Sequence, residues 1–213
     1  MTTLYTYFRS SAAYRVRIAM NVKGLTYEPR FVHLVKDGGH QKKADYLALN
    51  PQGLVPALVD GPDVLTQSLA IIEYLDEAKP GPKLLPGDAI ERAKIRAFSL
   101  AIACDIHPLN NLRVLNYLKG TYQADQGAVD QWVRTWVEMG LEALEAMLPT
   151  GAGPYCFGAQ PTLADVCLVP QMFNARRFKC DLGRVPRLVA IDAHCLAQAP
   201  FKAAAPENQP DAE

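Results

Sequence analysis

At Pro80-Gly81-Pro82, and again at Pro86-Gly87, the chain stops alternating between short patterns and begins to repeat at helical period over long stretches. Proline lacks an amide hydrogen and glycine tolerates any backbone conformation, so no regular element runs through this break. Before it, strand and helix signals alternate. Leu4 to Phe8 reads as a strand, Ala13 to Lys23 as a helix ended by Gly24, and Tyr27 to His33 as a strand. Ala57 to Asp60 and Val64 to Thr66 form a hairpin about Gly61-Pro62, and Ser68 to Ala78 is a helix. After the break, four amphipathic segments follow: roughly Ala89 to Leu118, Val129 to Leu148, Thr162 to Phe178 and Pro186 to Ala197. The reading is therefore an α/β domain at 1–80 and an all-helical domain at 88–213. Thr162-x-x-Asp165 before an apolar run is a capping-box variant with a structural role, and the Pro-containing tail from Ala205 to Pro210 reads as irregular.

Charge narrows the function classes. Lys+Arg and Asp+Glu are equal at 22 each, so no overall field draws in nucleic acid or an anionic membrane, and an anionic ligand must be met by local charge. Cys104, Cys156, Cys167, Cys180 and Cys195 are odd in number, widely spaced and without a Cys-x-x-Cys or a histidine cluster. They read as reduced thiols and not as a metal site. No apolar run reaches membrane-spanning length and no signal-peptide pattern opens the chain, which makes a cytoplasmic protein the expectation.

The first chemistry-bearing stretch is Tyr7-Phe8-Arg9-Ser10-Ser11-Ala12-Ala13-Tyr14-Arg15-Val16-Arg17, where a strand meets two hydroxyls as a helix opens. A helix start offers unpaired N–H groups and partial positive charge, so Ser10 and Ser11 stand where an anion, a thiolate above all, is stabilised. A thiol needs about 2 kcal/mol of selective stabilisation to be half ionised near neutrality. A hydroxyl bond to a charge supplies roughly 1.5–3 kcal/mol and a helix end roughly 0.3–1. On this feature alone the serines could equally be ordinary caps. Two further segments bear on the choice: Asn50-Pro51-Gln52-Gly53-Leu54-Val55-Pro56, a turn leading into a strand, and Gln67-Ser68 at another helix start.

In this order, the three segments resemble the glutathione-binding half of a glutathione transferase. Arg9-Ser10-Ser11-x-x-x-Arg15-Val16-Arg17-Ile18-Ala19 resembles the zeta-class signature, in the bacterial group of maleylacetoacetate and maleylpyruvate isomerases. The resemblance continues through Cys104-Asp105-Ile106-His107-Pro108-Leu109-Asn110-Asn111 and Val169-Pro170-Gln171 to Ala175-Arg176-Arg177-Phe178. It implies a thioredoxin-like first domain, a helical second domain, a homodimer, and glutathione as cofactor. In the implied glutathione site, Ser10 or Ser11 meets the thiolate, and Gln52 and Val55 meet the tripeptide backbone across a cis Val55–Pro56 bond. Gln67 and Ser68 hold the γ-glutamyl carboxylate, with His40, His107, Asn111 and Arg113 around them. Arg9, Arg113 and Arg177 are implied to bind a dicarboxylate, Arg9 beside the catalytic serines. A guanidinium's fixed fork suits that task, although any single arginine could be a solvated surface charge.

The implied reaction is glutathione-dependent cis-trans isomerisation of maleylacetoacetate in aromatic amino-acid breakdown, with maleylpyruvate isomerisation as the alternative. Glutathione conjugation, dehalogenation of small halo acids and a docking module without enzymatic activity are the remaining classes. Ala12 stands where eukaryotic zeta enzymes typically have cysteine, so any role for that thiol is absent.

Overall fold

The computed structural model describes residues 2–213. Contacts divide them into two compact units: residues 2–84 together with Ala197–Glu213, and Leu85–Leu196. In the first unit, strand β1 (Thr2–Thr6) crosses through helix α1 (Ser11–Val22) to β2 (Glu28–Phe31), which lies parallel to β1. Strands β3 (Ala57–Asp60) and β4 (Asp63–Thr66) are an antiparallel hairpin, and the sheet order is β2-β1-β3-β4. A parallel pair needs a crossover, which α1 supplies. Pro29 sits in the edge strand β2, where a missing amide hydrogen costs least. Helices α2 (Ala44–Leu49) and α3 (Ser68–Ala78) complete the unit's α/β part.

Every residue of α1 from Ala13 to Met20 is buried, Arg15 and Arg17 included, because α1 packs against both α3 and a short helix α9 (Ala199–Ala204). Residues 197–213, placed by sequence in the helical domain, thus return to the first unit. Asn21 Nδ2 donates to Pro200 O at 3.0 Å, and Arg17 Nε to Ala204 O at 3.1 Å. The Pro/Gly break is likewise pinned. Lys23 Nζ, wholly buried, lies 3.3 Å from Asp76 Oδ1 and donates to Pro82 O at 3.0 Å, while Leu84 N donates to the same carboxylate at 2.8 Å. A buried pair of this kind is costly to break from one side only.

The second unit is helical: α4 (Ala89–Leu100), α5 (Leu112–Thr121), α6 (Gln126–Met147), α7 (Leu163–Arg177) and α8 (Pro186–Ala197). Val129, Val133, Val137, Leu141 and Leu144 put one stripe of α6 into the core, and α7 is buried from Leu163 through Met172, as a helix apolar all round must be. The Thr162 box forms as expected. Asp165 accepts from Thr162 N at 2.8 Å, Thr162 Oγ1 at 2.9 Å and Cys156 N at 2.7 Å, while its complete burial pushes its carboxyl pKa up.

The expected helix over Ala89 to Leu118 is not continuous. After Leu100 the chain makes a π-helical turn over Ala101–Ile106 and a 3-10 turn over His107–Asn110, and Asn111 then caps α5. Pro108 removes a helix donor, which accounts for the stop. Gly140 of α6 lets Ile106 come close, since a Cβ there would lie 2.4 Å from its side chain. Among the described residues no helix is long and apolar enough to cross a membrane.

Candidate functional site

Ser10 is the N-cap of α1, with φ −71° and ψ 113°. Its Oγ accepts from Ala13 N at 3.2 Å, which leaves its O–H free to donate outward. Ser10 is half-buried, whereas Ser11, the first helical residue, is buried. Arg9 is exposed and its guanidinium lies 4.7 Å from the Phe8 ring centroid. A half-buried donor beside the positive end of a helix is the arrangement that lowers a thiol pKa.

The other two segments lie in the same unit. Gln67 Nε2 donates to Gln52 Oε1 at 2.8 Å, which ties the turn to the start of α3. Gln67 holds φ +68° and ψ 116°, a conformation costing on the order of 1–3 kcal/mol for a non-glycine residue and one that concentrates at ligand sites. Ser68 opens α3, and its Oγ accepts from Arg15 Nη1 at 3.3 Å, a buried link from α1 to α3. Val55 is buried and precedes a cis bond to Pro56. Tyr46 Oη and Asn50 Nδ2 both donate to Leu54 O at 2.7 Å, and burial pushes the Tyr46 phenol pKa up, keeping it a donor.

Tyr7, Phe8, Val32, Tyr46 and Val55 form one apolar cluster, so the strand end before Arg9 and the turn at Val55 share a packed base. His40 Nε2 lies 2.9 Å from Asp37 Oδ2, and that bond holds the Asp37 carboxyl below its usual range. The His40 ring is 6.2 Å from His33, itself 4.9 Å from Tyr7.

Four expected residues lie on the second unit. His107 begins the 3-10 turn and is half-buried; Asn111 Oδ1 accepts from Arg113 N at 3.1 Å as the cap of α5. Arg113 is exposed on α5. Arg177, also exposed, ends α7 with its guanidinium 5.4 Å from the Phe178 ring centroid. Among the described residues no group of three His, Cys, Asp or Glu could hold a metal ion, and none of the five cysteines forms a disulfide.

Arg176, the neighbour of Arg177, forms an ion pair at 2.6 Å with the wholly buried Asp192 of α8. Burial outweighs that guanidinium and pushes the Asp192 carboxyl up to about 6. The folded protein therefore binds this proton more tightly than the unfolded chain. The stability it confers is present below the unfolded pKa near ~4 and lost as pH rises through 6. Two pKa units set a ceiling of about 3 kcal/mol. The stability of Asp192→Asn relative to the parent should therefore rise between pH 4 and 6.5 in urea titrations; a constant difference would contradict the assignment.

Sequence patterns for two domains match this chain: the glutathione S-transferase N-terminal domain over residues 4–83, and the glutathione S-transferase C-terminal domain over residues 126–180. The chain belongs to the glutathione S-transferase family. Within that family it is 52% identical over 209 residues to a probable maleylacetoacetate isomerase of Vibrio cholerae, covering 98% of this chain and 97% of the relative. A solved holo maleylpyruvate isomerase, described as a bacterial zeta-class glutathione S-transferase, superposes with a TM-score of 0.96 at 48% identity, covering 99% and 100% of the two chains. A maleylacetoacetate isomerase of Methylobacterium extorquens, solved with bound malonate and glutathione, superposes with a TM-score of 0.94 at 40% identity over 99% of each chain. The fold expected from the sequence, a thioredoxin-like unit followed by helices, is the glutathione S-transferase fold. Motif reading did not single out Arg15 as a partner of Ser68. Its role follows from the burial of α1 from Ala13 to Met20, where a charge has to be paired, and no local sequence pattern marks the partner.

Proposed function

We propose that this protein is a glutathione-dependent cis-trans isomerase of a maleyl diacid, maleylacetoacetate first. Maleylpyruvate is the second reading, favoured by the likeness to the holo maleylpyruvate isomerase. The observation that carries the proposal is the conjunction, in one unit, of the Ser10 cap, the Gln52–Gln67 pair and the Arg15–Ser68 link, each at a helix start or turn able to receive part of a tripeptide.

When bound, glutathione supplies a thiol nucleophile that adds to a conjugated double bond and is later eliminated unchanged, the bond rotating in between. Ser10 holds the thiolate through its O–H, and the N–H groups opening α1 add their partial charge. Gln67 and Ser68 hold the γ-glutamyl carboxylate, Gln52 and Val55 the backbone, and His40 closes the glycine end. His107, Asn111 and Arg113 contribute from the helical unit. Arg9, Arg113 and Arg177 hold the diacid's carboxylates and share charge that develops during addition. The first unit is thus the glutathione-binding domain and the second the substrate domain. We place the protein in the cytoplasm, in keeping with five cysteines none of which forms a disulfide. We also take it to be a homodimer; light scattering at a mass near 23.4 kDa would contradict that assembly.

Glutathione is expected to stabilise the folded protein by about 2.7 kcal/mol at a hundredfold excess over Kd. An unchanged melting curve in millimolar glutathione would remove the basis of the proposal.

A further inference from the structure

The backbone on which Ser10 stands is held from two distant points of the chain. Arg17 is 0% exposed and spreads its guanidinium over the end of β1. Nη1 donates to Thr6 Oγ1 at 3.0 Å and to Tyr7 O at 3.2 Å, Nη2 to Phe8 O at 3.0 Å, and Nε to Ala204 O at 3.1 Å. From the other side, Phe8 N donates to Asp211 Oδ2 at 3.0 Å. Both peptide groups that flank Phe8 are therefore bonded to side chains, the second to Arg17 and the first to Arg17 and to an aspartate 203 residues away. Tyr7 O has a second donor, Ser10 N at 3.0 Å, so the carbonyl that Arg17 holds also fixes the amide of the cap residue. The Phe8 carbonyl in turn belongs to the peptide that places Arg9.

We infer that Arg17 and Asp211 form a clamp that positions Ser10 for thiolate binding and Arg9 beside it, which makes Asp211, outside every glutathione-transferase motif above, a positioning residue. The inference rests on the proposed role of Ser10. Capping alone does not require this arrangement: the Ser10 cap needs Ala13 N, and neither clamp residue touches that bond. A guanidinium with four acceptors and a carboxylate bonded to one amide specify the path of the chain through Phe8, and small misplacements of a catalytic donor can cost about a hundredfold in rate. Burial lowers the Arg17 pKa to about 10, opposed by Tyr27, Tyr14 and, least of the three, the charge of Asp211. The segment carrying Asp211 has a further anchor in Glu213, which bonds Lys36 and lies 3.5 Å from His33 Nε2, next to the loop of His40.

The test compares Asp211→Ala, which removes the acceptor for Phe8 N, with Asp211→Asn, which keeps an oxygen there. Each full-length variant is titrated with glutathione while thiolate absorbance is followed against pH, and kcat, KM for glutathione and melting temperature are recorded. Asp211→Ala should raise the pKa of bound glutathione by about one unit, lower kcat roughly tenfold and speed amide exchange in the peptide containing Phe8. Asp211→Asn should restore the thiol pKa to within a few tenths of a unit even if it melts lower. Arg17→Lys, which keeps the charge and loses the fork, should follow the alanine variant. If both Asp211 variants melt lower yet keep the parental thiol pKa and kcat, the residue is structural only and the inference is overturned. A parent protein that gives no thiolate band with glutathione would instead overturn the proposed function, and that result is read before any variant is compared.

Discussion

Ser10→Ala is expected to raise the thiol pKa of bound glutathione by one to two units and to lower kcat at neutral pH about ten- to a hundredfold. The size follows from the loss of a hydroxyl bond to a charged sulfur, roughly 1.5–3 kcal/mol, at 1.36 kcal/mol per pKa unit. Ser11→Ala should have the smaller effect, because Ser11 is buried inside the first turn whereas Ser10 is half-buried at its edge. The Ser10 cap accepts from Ala13 N, so the alanine variant also loses about 1 kcal/mol of helix stability. Ser10→Gly separates the two effects, since glycine at an N-cap costs only a few tenths of a kcal/mol relative to serine and carries no side-chain donor. Its melting curve should match the parent while its thiol pKa follows the alanine variant. A glycine variant with parental thiol pKa and kcat would show that the Ser10 hydroxyl does not meet the sulfur.

Replacing Arg9, Arg113 or Arg177 by alanine should lower kcat/KM for a maleyl diacid by one to two orders of magnitude each, the loss expected for one charge-assisted contact of roughly 1.5–3 kcal/mol. All three side chains are exposed, so folding stability should change by no more than about 0.5 kcal/mol. The thiol pKa of bound glutathione should stay near the parental value in the Arg9 and Arg177 variants, while Arg113 can also affect glutathione affinity. Kinetics on both maleyl substrates measure this directly. Three variants that all keep parental kcat/KM would remove the diacid from the reading and leave general glutathione conjugation as the better account.

The elements legible in the sequence were those whose signal is local. The β3–β4 hairpin announces itself by turn residues between two short apolar runs, α6 by a stripe repeating every three or four residues, and the Thr162–Asp165 box by spacing alone. The stretch after Ala89 misled because Phe98, Ile102 and Ile106 keep a four-residue spacing through the π-helical turn, so the apolar pattern continues where the helix does not. Helix α2 has six residues, too few to show a period. Residues 197–213 return to the first unit through contacts with Arg17, Asn21 and Phe8, and no local pattern encodes a partner nearly 200 positions away.

The candidate site divides in the same way. Ser10, Gln52, Gln67 and Ser68 stand at caps and turns, which sequence shows, whereas the bonds that join them, Gln67 to Gln52 and Arg15 to Ser68, arise only when the unit folds. Arg15 and Arg17 looked like members of a motif. Their burial in a helix enclosed from Ala13 to Met20 is what makes them bonding hubs.

The decisive measurement follows isomerisation spectrophotometrically with maleylacetoacetate and maleylpyruvate in parallel, each with and without glutathione. A glutathione-dependent isomerase converts at least one maleyl substrate to its trans isomer only when glutathione is present and leaves the glutathione concentration unchanged, which is the result expected of this protein. Conversion independent of glutathione, stoichiometric consumption of glutathione, or no conversion of either substrate by a protein that binds glutathione would contradict the proposed function.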